Sequence, residues 1–262
     1  MRTTLSTTHR HFRYLAIALL GFSLVNAIAV NGANATSETS SVPTETREIG
    51  RSVKNRPIVA KRYGEEGGKV VVVIGSIHGN EKPGIPIAKD LIAQGARAGY
   101  TLWVITTANP DGTIANTRHN ARGVDLNRNF PTGWLKQPCP SKNCSGKQAA
   151  SEPETRALSE FLISIQPRLV VFYHSTGYMV DFPKRGVATL DALKTYSRIS
   201  GLPTKTVSCG DGGCTGTATS HLYANVPTAT TFVVELPCDR TCLTPGARKR
   251  HISAFWAAAA KA

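Results

Sequence analysis

The sequence has few acidic residues and, after residue 30, no long apolar run. It contains 17 Asp and Glu against 31 Lys and Arg, which gives a formal net charge of +14 at pH 7. No later segment has the length that a membrane-spanning helix needs. No basic tract alternates with aromatic residues, so the charge gives little support for nucleic-acid binding. It suits an anionic polymer, a membrane surface or a solubilising exterior.

The first residues have the composition of a signal peptide. Three arginines precede an apolar run over 14–30 that ends in small residues, and no acidic residue accompanies them. This pattern predicts a cleaved signal peptide over 1–29, with a membrane anchor as the alternative. Residues 30–48, rich in Ser and Thr, are predicted to form a flexible linker. We expect an exported protein, periplasmic or secreted, without stable membrane insertion after cleavage.

Two sequence patterns of known chemistry are absent. There is no C-x-x-C spacing, so a zinc ion held by four cysteines is not indicated. There is no G-x-S-x-G segment, which leaves a serine hydrolase without support. The cysteines instead form three close pairs: Cys139/Cys144, Cys209/Cys214 and Cys238/Cys242. In an exported protein we expect disulfides, and pairing of near neighbours is the simplest of fifteen possible arrangements.

From residue 49 onwards, apolar segments alternate with segments of helical spacing. Residues 48–64 indicate an edge hairpin that turns near Asn55. The predicted strands are 68–77, 101–107, 168–174 and 229–236; the predicted helices are 83–98, 151–166, 187–200 and the segment from residue 245. This alternation predicts one α/β domain over 49–262, with a mixed, largely parallel twisted sheet and helices on both faces.

Polar residues follow the predicted strands. His78 and Glu81 come after the first strand and the NPDG segment at 109–112 after the second. His174 ends the third strand, and Glu235 lies near the end of the fourth. Open α/β sheets bind ligands at the carboxyl ends of their strands. We therefore expect these side chains to meet at one rim of the sheet.

Two histidines and a carboxylate at this rim indicate a catalytic zinc site. Such a site takes three protein ligands and leaves a fourth position for water, and His78, Glu81 and His174 supply that set. The H-x-x-E motif alone is common by chance, so the joint placement carries the prediction. Glu235 lies within an apolar strand, where an unpaired buried carboxylate is costly. It is predicted to act as the general base and acid.

The segment 118–130 supplies guanidinium groups near the predicted metal. One arginine can bind a substrate carboxylate, and another can stabilise an oxyanion. Asp125 is expected to orient a ligand or an arginine. Among the other histidines, His119 and His221 are expected at the surface or in supporting contacts, and His251 is expected to be solvated on a basic terminal helix.

Six motifs in this sequence resemble those of the M14 family of zinc carboxypeptidases, in the order of the family. They are IGRSVKNRPI (49–58), HGNE (78–81), NPDG (109–112), GVDLNRNFP (123–131), YHS (173–175) and VVEL (233–236). HGNE alone is shared with aspartoacylase and succinylglutamate desuccinylase relatives. The resemblance implies one Zn²⁺ per chain, bound by His78, Glu81 and His174, with Glu235 as the general base and acid.

The resemblance also implies roles for the arginine segment. Arg118 is expected at the carbonyl oxygen of the substrate, and Asn127 with Arg128 at its terminal carboxylate. Two departures from the family pattern occur. Asn55 replaces a usual glycine, which a positive-φ turn tolerates, and Tyr223 lies too close in sequence to the base to serve as a mobile catalytic tyrosine.

The compact domain and its motifs are most similar to the murein peptide amidase branch of the family. That branch cleaves the bond between γ-D-glutamate and diaminopimelate in wall peptides. We expect hydrolysis of an amide bond next to a free carboxylate by a zinc-activated water. Peptidoglycan peptides are the preferred substrates. The alternatives are cleavage of ordinary protein C-termini, deacylation of N-acyl amino acids, or a non-catalytic wall-binding module. The expected partner is a peptide substrate, not nucleic acid, and the oligomeric state stays open.

Overall fold

A computed structural model describes residues 41–181, 190–206, 214–238 and 243–262. The predicted signal peptide over 1–29 and most of the predicted linker lie outside these residues, so both stay predictions. Strand β1 begins at Glu45, before the predicted domain start at residue 49. Within the described part of the chain, no helix is both long and apolar enough to cross a membrane.

The described residues contain one mixed sheet with the strand order β1-β2-β4-β3-β5-β8-β6-β7. The strands are β1 (Glu45–Arg51), β2 (Pro57–Tyr63), β3 (Lys69–Ile74), β4 (Tyr100–Ile105), β5 (Leu169–Ser175), β6 (Met179–Asp181), β7 (Thr204–Lys205) and β8 (Thr230–Leu236). The central strands β4, β3, β5 and β8 are parallel to one another. The hairpin β1-β2 is antiparallel at one edge, and β6 is antiparallel to β8.

Helices cover both faces of this sheet, which confirms the predicted fold class. They are α1 (Gly84–Gln94), α2 (Pro110–Ala115), α3 (Pro153–Ile165), α4 (Leu190–Ser200), α5 (Ala218–Asn225) and α6 (Pro245–Lys261). Apolar residues of α1, α4 and α6 pack on one face, and those of α3 and α5 on the other. Each face thereby removes the apolar side chains of the central strands from water.

The alternation of side chains along β5 and β8 decides where the polar strand ends point. Val170 and Phe172 belong to the core under α3 and α5, and His174 continues their row because strand side chains alternate between faces. In β8, Val233 belongs to the same core and Glu235 continues its row. Both polar groups therefore lie on the α3/α5 face, at the carboxyl ends of their strands.

Several local predictions differ from the structure in detail. The NPDG segment begins helix α2, whose first turn is capped by the Asn109 side chain, which accepts from the Gly112 amide at 2.9 Å. The short strands β6 and β7 were not predicted, since two or three residues are too few to show the alternation of apolar and polar side chains that marks a strand. The positive-φ turn at Asn55 is confirmed, with φ of 58°.

His251 is less exposed than the sequence indicated, while His221 makes one of the supporting contacts that were expected as an alternative to a surface position. His251 was expected to be solvated, but it is buried and its Nδ1 contacts the Tyr196 hydroxyl at 2.8 Å. His221 is also buried, where its Nε2 contacts the Ser159 hydroxyl at 2.7 Å. Burial lowers the pKa of His251 to about 4, so it is neutral at pH 7. Both residues hold helices together by hydrogen bonds.

The predicted local disulfides are confirmed for the first pair. Cys139 and Cys144 are bridged, with their Cα atoms 4.8 Å apart. Cys214 and Cys238 each take part in a disulfide as well. Their expected partners, Cys209 and Cys242, lie outside the described residues, so those two pairings stay predictions.

Two buried carboxylates anchor the turn of the β1-β2 hairpin. Asp111 accepts from the Lys54 amide at 2.9 Å, and Glu154 accepts from the Val53 amide at 3.0 Å. Burial opposes ionisation of Asp111, but the Lys54 amide and the Arg56 guanidinium outweigh it and lower the pKa of Asp111. The hairpin is thus tied to both α2 and α3.

Replacing Asp111 by Asn should lower the free energy of unfolding by about 1–3 kcal/mol, since the main-chain amide of Lys54 loses its charged acceptor. Because the pKa of Asp111 is lowered on folding, its contribution is complete above the unfolded value of about 4 and is lost as the pH falls through the folded value. Denaturant titrations at pH 7 and at low pH measure this. The control Asp90→Asn, at a partly exposed pair with Arg248, should cost at most about 1 kcal/mol.

Candidate active site

Three predicted metal ligands meet where β3 and β5 end. The Nδ1 atoms of His78 and His174 are 3.1 Å apart, and each lies 3.0 Å from Oε2 of Glu81. All three side chains are buried. They are the one cluster of metal-binding side chains found among the described residues. The ligand set predicted from the sequence is therefore brought together by the fold.

The hydrogen bonds around His78 direct a lone pair into this cluster. Its Nε2 lies 2.9 Å from Oδ1 of Asp125, a residue with no exposed surface. A carboxylate can only accept, so Nε2 carries the hydrogen and Nδ1 of the neutral ring is left with its lone pair. This arrangement of carboxylate, histidine and metal is the usual one at zinc sites. Asp125 thus has the orienting role expected from the sequence.

The three converging atoms, Nδ1 of His78, Nδ1 of His174 and Oε2 of Glu81, can bind a cation together but cannot all be satisfied by hydrogen bonds among themselves. A lone pair of His78 and an oxygen of Glu81 face each other, and both cannot be satisfied by a single hydrogen on His174. Ligand atoms around a tetrahedral zinc ion stand roughly 3.3–3.6 Å apart, which is close to the observed separations. The residues present therefore match zinc in donor type, number and spacing.

The carboxylates of Glu81 and Asp125 are held in the ionised form. Burial opposes their ionisation, but His78 in its protonated form and hydrogen bonds from His174 lower the pKa of Glu81 well below its usual range. His78 and Arg118 lower the pKa of Asp125 against the same opposing effect of burial. Both groups stay negative through the neutral range, as metal binding requires.

Arg118 contacts the ligand shell directly. Its Nη1 donates to Oε1 of Glu81 at 2.7 Å, while Nε and Nη2 donate to Oδ2 of Asp125 at 3.0 and 2.9 Å. These bonds leave one N–H on each terminal nitrogen for another acceptor. The predicted role at a substrate carbonyl is compatible with this geometry, but the contacts that the structure shows are with the two carboxylates.

The HGNE turn is held against the start of α2. A side chain on Gly79 would collide with the Gly112 backbone, with its Cβ only 1.9 Å from the carbonyl carbon. The Arg118 carbonyl accepts from the Gly79 amide and from Nδ2 of Asn109, both at 3.3 Å. The NPDG segment therefore positions both the metal-binding turn and Arg118, a role that the sequence analysis did not assign to it.

Glu235 lies beside the ligand His174. The two residues are register partners in the parallel pair β5-β8, so their side chains share one face of the sheet. A buried carboxylate was expected from the sequence, and this was wrong, because Glu235 is half-buried at the strand end. Gly177 approaches its side chain so closely that a Cβ there would lie 2.7 Å from the Cβ of Glu235.

The Glu235 carboxylate makes no hydrogen bond or ion pair with any described residue. A partly exposed acceptor beside a candidate metal ligand, with no partner in the part of the chain that the structure describes, is able to take and return a proton. Tyr223, which was rejected as a catalytic tyrosine, instead donates its hydroxyl to the Thr231 carbonyl.

Asn127 and Arg128 belong to a short 3-10 helix, Leu126–Arg128, that follows Asp125. The Asn127 side chain accepts from the Ala218 amide at 2.9 Å, which assigns its oxygen to that contact and leaves Nδ2 as a donor. Burial lowers the pKa of Arg128, although the side chain stays charged at pH 7. A partly desolvated cation next to an amide donor can bind a carboxylate.

An α/β sheet with two histidines and a glutamate at its carboxyl rim, and a second glutamate beside them, defines a zinc-dependent hydrolase. Comparison with known families agrees, since Peptidase M14, the zinc carboxypeptidases, matches residues 33–245. The chain belongs to this family of metal-dependent hydrolases. The resemblance noted in the sequence motifs is thereby confirmed.

Individual relatives have similar sequences or folds. Murein peptide amidase A of Escherichia coli (strain K12) is 28% identical over 163 residues, a match that covers 56% of this chain and 66% of the relative, slightly less than two thirds of its length. Murein peptide amidase A of Vibrio campbellii is 28% identical over 219 residues, a match that covers 79% of this chain and 84% of the relative. The solved structure of murein-tripeptide amidase from Escherichia coli O157 has a TM-score of 0.66 at 22% identity, covering 86% of this chain and 94% of that chain.

Replacing Glu81 by Gln should weaken zinc binding by about 100-fold or more, because removing a direct ligand costs at least as much as removing an outer partner. Competition with a chromophoric chelator measures the affinity, and elemental analysis of the wild type should show zinc. The matched control Glu160→Gln, at an exposed position of α3, should bind zinc like the wild type. Wild-type affinity in the Glu81 variant would contradict this site.

Proposed function

We propose that this chain is an exported zinc-dependent amidase of the carboxypeptidase type that acts on peptidoglycan peptides. It hydrolyses the amide bond between γ-D-glutamate and meso-diaminopimelate, next to the free carboxylate of the released residue. The observation that carries the hydrolytic part is the Glu235 carboxylate, which has no partner among the described residues and lies in register with His174, a ligand of the candidate metal site. A binding module has no need of such a base.

One zinc ion per chain, held by His78, Glu81 and His174, supplies Lewis acidity and lowers the pKa of water. Glu235 takes a proton from the attacking water and returns it to the nitrogen of the leaving amine. The two free N–H groups of Arg118 donate to the carbonyl oxygen as it gains negative charge.

The carboxylate of the substrate is assigned to the pair Asn127 and Arg128. The amide of Asn127 has its oxygen occupied by Ala218, so Nδ2 is the group offered to a ligand. Arg128 supplies the positive charge. These two donors of different geometry lie two and three residues after Asp125 in sequence, and a carboxylate bound by them would favour cleavage of a terminal residue.

Three observations support the wall peptide as substrate. The curated relatives described above carry the name murein peptide amidase. The net charge is +14, or +11 without the three arginines of the predicted signal peptide, and this suits the anionic polymers of a cell wall. The predicted signal peptide directs the chain to the compartment where such peptides occur, in the periplasm or outside the cell. The partner is therefore a peptide, and nucleic acid is not among the proposed ligands.

Replacing Glu235 by Gln should lower kcat by at least about 100-fold, since general acid-base catalysis contributes on that scale. Zinc content should be unchanged because Glu235 is not a ligand. Steady-state kinetics and elemental analysis on the same preparation measure both. Glu160→Gln serves as the matched control with wild-type values. Retained turnover in the Glu235 variant would mean that another group is the base.

Products distinguish the proposed substrate from its rivals. The purified enzyme is incubated separately with L-Ala-γ-D-Glu-meso-diaminopimelate, an ordinary peptide and N-succinylglutamate, and products are identified by mass spectrometry. We expect release of diaminopimelate from the first alone, and loss of this release when a chelator removes zinc. Cleavage of the ordinary peptide alone would indicate a protein carboxypeptidase. Cleavage of the succinyl compound alone would indicate an N-acyl amino acid deacylase.

A further inference from the structure

The loop closed by Cys139 and Cys144 contacts the residue that orients the candidate metal site. The carbonyl oxygen of Cys144 accepts from the Asp125 amide at 2.8 Å. Cys144 is almost fully buried and bridged to Cys139. A second contact joins the same loop to the residue after Arg118, where Nε2 of His119 lies 3.0 Å from the Lys142 carbonyl.

Asp125 has no freedom to compensate for a shift of its backbone. Its Oδ1 contacts Nε2 of His78 and the Asn127 amide, both at 2.9 Å, and its Oδ2 accepts twice from Arg118. Each oxygen is therefore already shared between two donors. A movement of the Asp125 main chain lengthens the bond to His78 and changes the direction of the ligand ring.

The contacts of the loop with Asp125 and His119 use main-chain carbonyl groups of the loop. No side chain of the loop is required for them, so their geometry depends on the path of the backbone between residues 139 and 144. Within this loop, the Cys144 amide donates to the Ser141 carbonyl at 3.1 Å. The covalent bridge is the strongest restraint on that path, since closing a loop removes alternative conformations.

We propose that the Cys139–Cys144 bridge is a positioning element of the metal site, which acts through the Asp125 amide to hold the Asp125 carboxylate against His78. Opening the bridge lowers zinc affinity while the domain stays folded. The proposal rests on the proposed function only in taking zinc as the metal of His78, Glu81 and His174. It also gives this local disulfide a role in an exported protein beyond general stabilisation.

The test compares zinc affinities of the wild type, the double variant Cys139→Ser/Cys144→Ser, Asp125→Asn, and the combination of both. We expect the double variant to bind zinc about 10-fold more weakly than the wild type, at the lower end of the effect of losing an outer partner. In the Asp125→Asn background, opening the bridge should change the affinity by less than about 2-fold, because the carboxylate through which it acts is gone. Lys142→Ala, an exposed change in the same loop, should bind like the wild type.

Each other outcome has a definite meaning. Unchanged affinity in the double variant overturns the proposal. An equal loss in both backgrounds also overturns it, because the bridge then acts on the domain and not through Asp125. Affinities are measured without substrate, so a failure to cleave wall peptides affects only the proposed function. A wild type that binds no zinc overturns both.

Hydrogen exchange of the wild type tests the contact even if the double variant does not fold. The Asp125 amide should exchange as slowly as amides in the central strands, since it donates to a buried carbonyl. Exchange as rapid as that of exposed loop amides would overturn the proposal. In a folded double variant, the same amide should lose protection while the amides of β5 keep theirs.

Discussion

The bond between His78 and the buried Asp125 carboxylate is the interaction on which the site depends. It assigns the hydrogen of the imidazole to Nε2 and so presents the other nitrogen to the cluster. The same carboxylate binds Arg118, which in turn holds Glu81. A buried carboxylate is stable only when its lone pairs are satisfied. Asp125 is satisfied by groups that themselves belong to the site.

The order of elements around this carboxylate follows from simple constraints. A parallel sheet brings the ends of β3, β5 and β8 to one rim, and the alternation of side chains selects the face. Close approach of Gly79 to Gly112 then brings the turn after β3 under the start of α2. Loops such as the one after α2 provide charged groups, because their backbone is not occupied by ladder hydrogen bonds.

The sequence predicted those parts of the site that have a local signal. His78, Glu81 and His174 follow apolar strands, and Asp125 lies within an arginine-rich segment, so both position and chemistry could be inferred. The burial of Glu235 was predicted incorrectly, because Glu235 lies next to the carboxyl end of β8, where the strand leaves the apolar core. His251 was wrongly predicted to be solvated, because it follows the three basic residues at 248–250, which suggested an exposed helix. The support of Asp125 by Cys144 has no side-chain signal, since it joins two main-chain groups.

The ligands of the site come from distant parts of the chain. His78 and His174 are separated by 96 positions, and Glu235 belongs to the last strand of the parallel core. Contacts of this kind form only after long loops have closed. A growing or partly folded chain therefore contains the histidines without the hydrolytic centre. The cluster of His78, Glu81 and His174 and the neighbouring Glu235 therefore come together only when the last core strand has joined the sheet.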